Sequence, residues 1–88
     1  MDRDARLKRL KFRAWHRGTR EADMMIGGFF DARSAVWGIA EMDWFERLME
    51  EQDVDIMAWA FKALPVPSCW QGPMMDDLMR LDFVKVVK

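Results

Sequence analysis

His16-Arg17-Gly18-Thr19-Arg20-Glu21-Ala22-Asp23 is the stretch on which the fold turns. Five of these eight side chains are ionisable, and they surround a single glycine. A basic amphipathic segment ends here and an apolar helical period begins here. Backbone freedom and opposite charges therefore meet where one element hands over to the next. The pattern marks a seam between two helices and, with it, the working surface of the protein.

Upstream of the seam, Leu7, Leu10 and Ala14 share one helical face and Phe12 and Trp15 an adjacent one. A first helix is expected from about Asp4 to Trp15, with Asp2 or Asp4 at its start and Arg13 or His16 at its end, as the macrodipole favours. Gly18 follows where a left-handed terminating residue is wanted. Downstream, Ala22, Met25, Ile26, Phe29 and Phe30 fit the i, i+3, i+4, i+7, i+8 template of an amphipathic helix. Thr19 is its N-cap, and Glu21 and Asp23 put negative charge in its first turn. Gly27-Gly28 interrupts this helix at a cost of about 1 kcal/mol per glycine relative to alanine. Close approach of a neighbouring helix accounts for the pair, and so does a helix that stops there.

The second helix is expected to run as far as Ala35, before a turn at Gly38 beside Trp37. A third covers Ile39 to Glu51, with Met42, Phe45, Leu48 and Met49 inward and Glu41, Asp43, Glu46, Arg47, Glu50 and Glu51 outward. Asp53 reads as the N-cap of a fourth helix whose buried stripe is Ile56, Met57, Ala60, Phe61 and Leu64, flanked by Trp59. Pro65-Val66-Pro67 ends it. A loop to Pro73 precedes a fifth helix carrying Met74, Met75, Leu78 and Leu81. The tail from Phe83 to Lys88 alternates like a strand but has no visible partner strand, and reads as a fraying helix end. The fold class is all-α: one domain over residues 1–88, a compact bundle of about five short helices.

A chain of 88 residues buries roughly 60% of its unfolded surface, enough for one modest core. Its single cysteine, Cys69, excludes an internal disulfide framework and a multi-cysteine zinc site. His16 is the sole histidine, so metal binding is not expected. The net charge of -1 is unevenly spread. Arg3, Arg6, Lys8, Arg9, Lys11, Arg13, Arg17 and Arg20 crowd the N-terminal part, while carboxylates dominate from Glu41 to Asp55. This predicts a basic end and an acidic end, suited to docking on a partner. No apolar run reaches membrane-spanning length, and no membrane insertion is expected. The basic N-terminus carries Asp2 and Asp4, lacks serine and runs into the seam, so it reads as part of the fold and a cytosolic compartment follows.

Nine methionines fall mostly on core stripes and read as packing. Trp37 and Trp70 fall in loops, either as exposed contact groups or folded back over the core. Basic groups on the first helix are a weak nucleic-acid signal without an accompanying motif. Cys69 lies far in sequence from His16, Ser34 and Ser68 have no motif around them, and no phosphate-binding glycine loop occurs. No catalytic residue is assigned and no enzyme activity is expected. At the seam, Arg17 and Glu21 flank Gly18, with His16, Arg20 and Asp23 beside them. One reading is a capped junction with surface ion pairs, each worth well under about 1 kcal/mol. The other is a recognition patch, in which arginine offers paired donors, glutamate accepts, and glycine permits close approach. The residues alone leave the two equal.

Arg17-Gly18-Thr19-Arg20-Glu21-Ala22-Asp23 resembles the RGxRExD signature of the SdhE family, the succinate dehydrogenase assembly factor 2 or flavinylation factor proteins. Phe29-Phe30 matches the aromatic position after that signature. Phe45, Leu48, Glu50, Asp53, Asp55, Ile56 and Trp59 fit the family's second block, and the likeness spans residues 6–82. The chain departs from the pattern at Ala63-Leu64, where many members have a glycine before the proline, and in its Gly27-Gly28 pair. The resemblance implies a small, non-enzymatic, chaperone-like factor that binds the flavoprotein subunit of succinate dehydrogenase and, for many members, of fumarate reductase. It promotes covalent attachment of FAD to a histidine of that subunit. FAD is then handled on the partner and not stably bound by this chain. Arg17, Gly18 and Glu21 take the central contact roles, with Arg20, Asp23 and His16 on the same surface. Two alternatives use the basic first helix: a carrier that binds FAD, helped by the amides opening the second helix, and a nucleic-acid-associated regulator.

Overall fold

Aromatic rings from three separate stretches meet at the centre of the molecule. Phe29 and Phe30, Trp37, and Phe45 stand with ring centroids 5.0 to 6.1 Å apart in tilted and edge-on pairs, the geometry aromatic quadrupoles favour. The computed structural model describes residues 2–84. Around this cluster lie five helices: α1 (Arg3–Trp15), α2 (Arg20–Arg33), α3 (Ile39–Leu48), α4 (Asp53–Ala60) and α5 (Pro73–Met79). Short 3-10 turns at Ser34–Val36 and Ser68–Trp70 join them, and no strand occurs among the described residues. The all-α bundle is the architecture the hydrophobic periods predict.

Local chemistry sets the helix starts. The Asp2 carboxylate accepts from the Asp4 amide at 3.1 Å, and Thr19 Oγ1 accepts from the Ala22 amide at 3.2 Å. Both are N-caps of the expected kind. The α2 stripe is buried at every expected position, as are Met42, Phe45, Leu48 and Met49 of the third helical segment. Close approach explains Gly27. A Cβ there would lie 2.3 Å from Cδ2 of Trp15, so the α1 indole rests directly on α2 backbone.

Four expectations need correction. α2 stops at Arg33, and the following 3-10 turn folds Trp37 into the core. α4 starts after Gln52, with Asp53 already inside the helix instead of capping it. It ends at Ala60, because Lys62 takes a left-handed φ of 61° and the Ala63 and Leu64 amides turn back to the Ala58 carbonyl at 2.8 and 3.2 Å. The buried face of α4 is Ile56, Trp59 and Ala60, so Phe61 and Leu64 are exposed where burial was expected. Finally, the chain leaves helix at Met79 and Phe83 is anchored, its ring 5.3 Å from Phe29 and its side chain beside Gly28. The rest of the expected frayed tail, 85–88, lies outside the described residues. Trp70, like Trp37, turns inward, against Trp44 at 5.5 Å and Trp59 at 6.2 Å.

The two neighbouring glycines should therefore respond oppositely to alanine. Gly27→Ala must displace the Trp15 ring and should destabilise by roughly 1–3 kcal/mol, read from urea denaturation. At Gly28 a Cβ would meet Phe83 at an ordinary 3.4 Å, so Gly28→Ala should be neutral or stabilising by up to about 1 kcal/mol.

Candidate functional site

Between α1 and α2 the backbone reverses at Gly18, whose φ of +115° favours glycine and where a Cβ would meet nothing within 4 Å. Just before it, Arg17 points into the molecule, its side chain only 11% exposed. Its Nε donates to Asp53 Oδ1 at 2.7 Å, Nη1 to the Met49 carbonyl at 3.1 Å, and Nη2 to the Glu51 carbonyl at 3.1 Å. Its own backbone amide donates to Asp23 Oδ1 at 2.5 Å. One residue thereby ties the seam to the α3–α4 corner and to the first turn of α2.

The seam was expected to present Arg17 and Glu21 outward together. Arg17 instead turns inward, and the reason lies just past the end of α3. The Glu50 and Glu51 amides turn back to the Arg47 and Leu48 carbonyls at 3.1 and 2.9 Å, while the carbonyls of Met49, the C-cap, and of Glu51 in the following turn take their donors from Arg17. The guanidinium's charge suits both the negative C-terminal end of α3 and the Asp53 carboxylate at the start of α4. Sequence reasoning assigned Asp53 to capping and so missed its partner. The available signal was the run Met49-Glu50-Glu51-Gln52-Asp53, which closes a helix without glycine.

What remains outward is His16, Gly18, Arg20 and Glu21, all exposed. Arg20 and Glu21 have no partner of their own among the described residues. The His16 ring stacks on Phe12 at 4.0 Å, and its Nδ1–H donates to the Phe12 carbonyl at 2.6 Å. Asp23 is half-buried and holds the turn. The structure thus splits the six expected contact residues into two that shape the turn, Arg17 and Asp23, and four that face solvent.

The expected separation of basic and acidic ends gives way to contact between them. Arg6 of α1 meets Asp43 at 2.5 Å and Glu46 at 3.5 Å, and Arg13 meets Glu50 at 2.9 Å. Arg3 Nη2 donates to the Trp37 carbonyl at 2.9 Å, and Lys11 pairs with Asp31 at 3.7 Å. On the other side of the molecule Arg33 reaches Asp77 and Asp82 at 2.9 and 2.6 Å. The hydrogen bond that Arg6 donates to Asp43 raises its guanidinium above its already high range, and the one that Arg33 donates to Asp77 does the same there. Among the described residues no three His, Cys, Asp or Glu side chains converge as metal ligands would.

With this geometry in place, comparison with known proteins decides the family. The family model described as "flavinator of succinate dehydrogenase" matches residues 8–82. The chain belongs to this family. Similar proteins include the FAD assembly factor SdhE of Acetobacter pasteurianus, 42% identical over 75 residues, which are 85% of this chain and 69% of that one. The mitochondrial succinate dehydrogenase assembly factor 2 of Mycosarcoma maydis is 34% identical over 68 residues, 77% of this chain but 29% of the relative. Its namesake in Cryptococcus neoformans is 32% identical over 73 residues, 82% and 42% of the two chains. The chain thus spans less than half of these fungal relatives. The flavinator match takes in the seam, the Arg17 clamp and α2 to α5.

Arg17→Ala should cost roughly 2–3 kcal/mol in chemical denaturation, because two carbonyls and a carboxylate lose their donor. Arg17→Lys should recover little of it, since an ammonium cannot span the three acceptors as the planar fork does. Arg20→Ala and Glu21→Ala should stay within about 0.5 kcal/mol of the parent.

Proposed function

We propose that this protein is an assembly factor that binds the flavoprotein subunit of succinate dehydrogenase and promotes covalent attachment of FAD to it, without being an enzyme itself. The family match over residues 8–82 carries the reading. The names of the relatives, FAD assembly factor and succinate dehydrogenase assembly factor 2, agree with it. The contact residues of the proposal are Arg17, Gly18, Arg20, Glu21, Asp23 and His16, now with distinct duties. Arg17 and Asp23 hold the turn in shape. His16, Gly18, Arg20 and Glu21 meet the partner, arginine and glutamate offering paired donors and acceptors and glycine letting the backbones approach.

In this mechanism the seam docks beside the FAD site and holds the subunit with its acceptor histidine against the flavin's benzylic methyl group. Positioning of this kind lowers a barrier without any proton transfer from the factor. Preferential binding of one arrangement suffices to populate it. FAD stays on the partner, and this chain holds no cofactor of its own. The flavoprotein subunit of fumarate reductase is a second partner under the same reading. The compartment proposed is the cytoplasm, on the strength of the bacterial relative; the fungal relatives carry "mitochondrial" in their names. Among the described residues no helix is long and apolar enough to cross a membrane.

The carrier and nucleic-acid readings both need free cations along α1. Arg3, Arg6 and Arg13 are engaged with carbonyls and carboxylates of the same molecule, so no observation favours either reading.

Co-expression of the flavoprotein subunit with Gly18→Arg or Glu21→Ala should diminish covalent flavin fluorescence in denaturing gels. Undiminished labelling by folded variants would contradict the proposal.

A further inference from the structure

Beyond its first turn α4 carries no charged residue, unlike the other four helices. Ile56, Trp59 and Ala60 face the core. Val54, Ala58 and Phe61 stand on the opposite side, at the i, i+4, i+7 spacing of one helical face. Val54 is 70% exposed and Phe61 55%, and Leu64, just past the Lys62 turn, is 52% exposed. Residues 61–65 are exposed throughout, with Lys62 their one charge. Single exposed apolar residues are ordinary. A row of them on the solvent side of a helix whose charges, Asp53 and Asp55, are confined to its first turn is not, because contiguous exposed apolar patches are normally covered. Among the described residues nothing covers this one.

Where the row begins indicates what covers it. Arg17 Nε meets Asp53 Oδ1 at 2.7 Å, Gly18 follows Arg17 in the chain, and Val54 follows Asp53. The row therefore starts one residue from the group that holds Arg17, and Val54 to Phe61 spans about 10 Å at about 1.5 Å per residue. The Arg17 clamp holds the two surfaces in one rigid relation. We propose that Val54, Ala58, Phe61 and Leu64 form the apolar half of the docking surface, occupied by an uncharged apolar strip of the succinate dehydrogenase flavoprotein subunit that adjoins the polar segment held at Arg20 and Glu21. The partner strip carries no charge against Val54, Ala58, Phe61 and Leu64, whose side chains offer a charge no partner once water is excluded, and Lys62, exposed between Phe61 and Leu64, stays in water. This inference rests on the reading given under Proposed function.

The test is calorimetric titration of the full chain with purified flavoprotein subunit at several temperatures and salt concentrations. The variants are a Val54→Ser, Phe61→Ser double, Leu64→Ser alone, and Glu21→Ala. Circular dichroism and sedimentation of each free chain accompany the titrations. The double variant should bind roughly tenfold or more weakly and with a smaller negative heat-capacity change, by a factor that salt leaves unaltered. Leu64→Ser lies outside any helix and should weaken binding in the same sense, which keeps the test valid if the double variant misfolds. The loss in Glu21→Ala should instead shrink at high salt. Parent-like affinity and heat capacity in the apolar variants, with Glu21→Ala weakened, would overturn this inference and leave the seam reading standing. Absence of binding by the parent chain would remove both. A parent dimer that the double variant dissociates, with flavoprotein binding unchanged, would assign the row to a second copy and equally overturn it.

Discussion

A single guanidinium decides how the two halves of this molecule meet. Arg17 follows α1, turns inward, and satisfies the Met49 carbonyl at the cap of α3 and the Glu51 carbonyl of the turn beyond it, while its third edge holds Asp53 at the start of α4. Removing water from so many polar groups is tolerable only because each finds a partner. The exposed face of the seam follows from this burial. With Arg17 drawn in and Asp23 holding its amide, Gly18 is pushed to the surface and Arg20 and Glu21 project freely on the first turn of α2.

The same device recurs on a smaller scale. A chain of 88 residues has little interior to work with, and the five helices among its described residues are 7 to 14 residues long. Helices that short have scant stability alone and depend on packing and terminal contacts. Arg6 sets α1 across α3, Arg13 ties it to the turn after α3, Arg33 sets the end of α2 across α5, and Arg3 holds the connection before α3. These contacts fix register more than they add stability, since exposed ion pairs contribute little. The energy comes from the aromatic cluster of Phe29, Phe30, Trp37 and Phe45 and from the Trp44, Trp59 and Trp70 group beside it.

Much of this was legible in the sequence because it is periodic. The α2 stripe, the α3 stripe, the Thr19 cap and the turn at Gly18 each follow from a local rule, and each is where the rule puts it. Two of the misses share a cause. Where a side chain is claimed by a residue distant in the chain, the local rule loses: Asp53 gives up capping for Arg17, and Arg17 leaves the outward face of the seam for Asp53 and the Met49 and Glu51 carbonyls. Phe61 and Leu64 were misplaced because proline was read as the end of α4, whereas Lys62 ends it earlier in a left-handed turn. The candidate contact residues were found together by motif. The inward turn of Arg17 depends on pairs more than thirty positions apart, which no spacing within the motif reveals, whereas Asp23 is held by the Arg17 amide six positions away.

Under the proposed function the partner sits on the outward face of the seam. Hydrogen–deuterium exchange of the full chain, with and without the purified succinate dehydrogenase flavoprotein subunit, tests that most directly. Slowed exchange on complex formation is predicted in peptides covering His16 to Glu21. Unchanged exchange there, with protection confined to α5 or to the solvent side of α1, would contradict it.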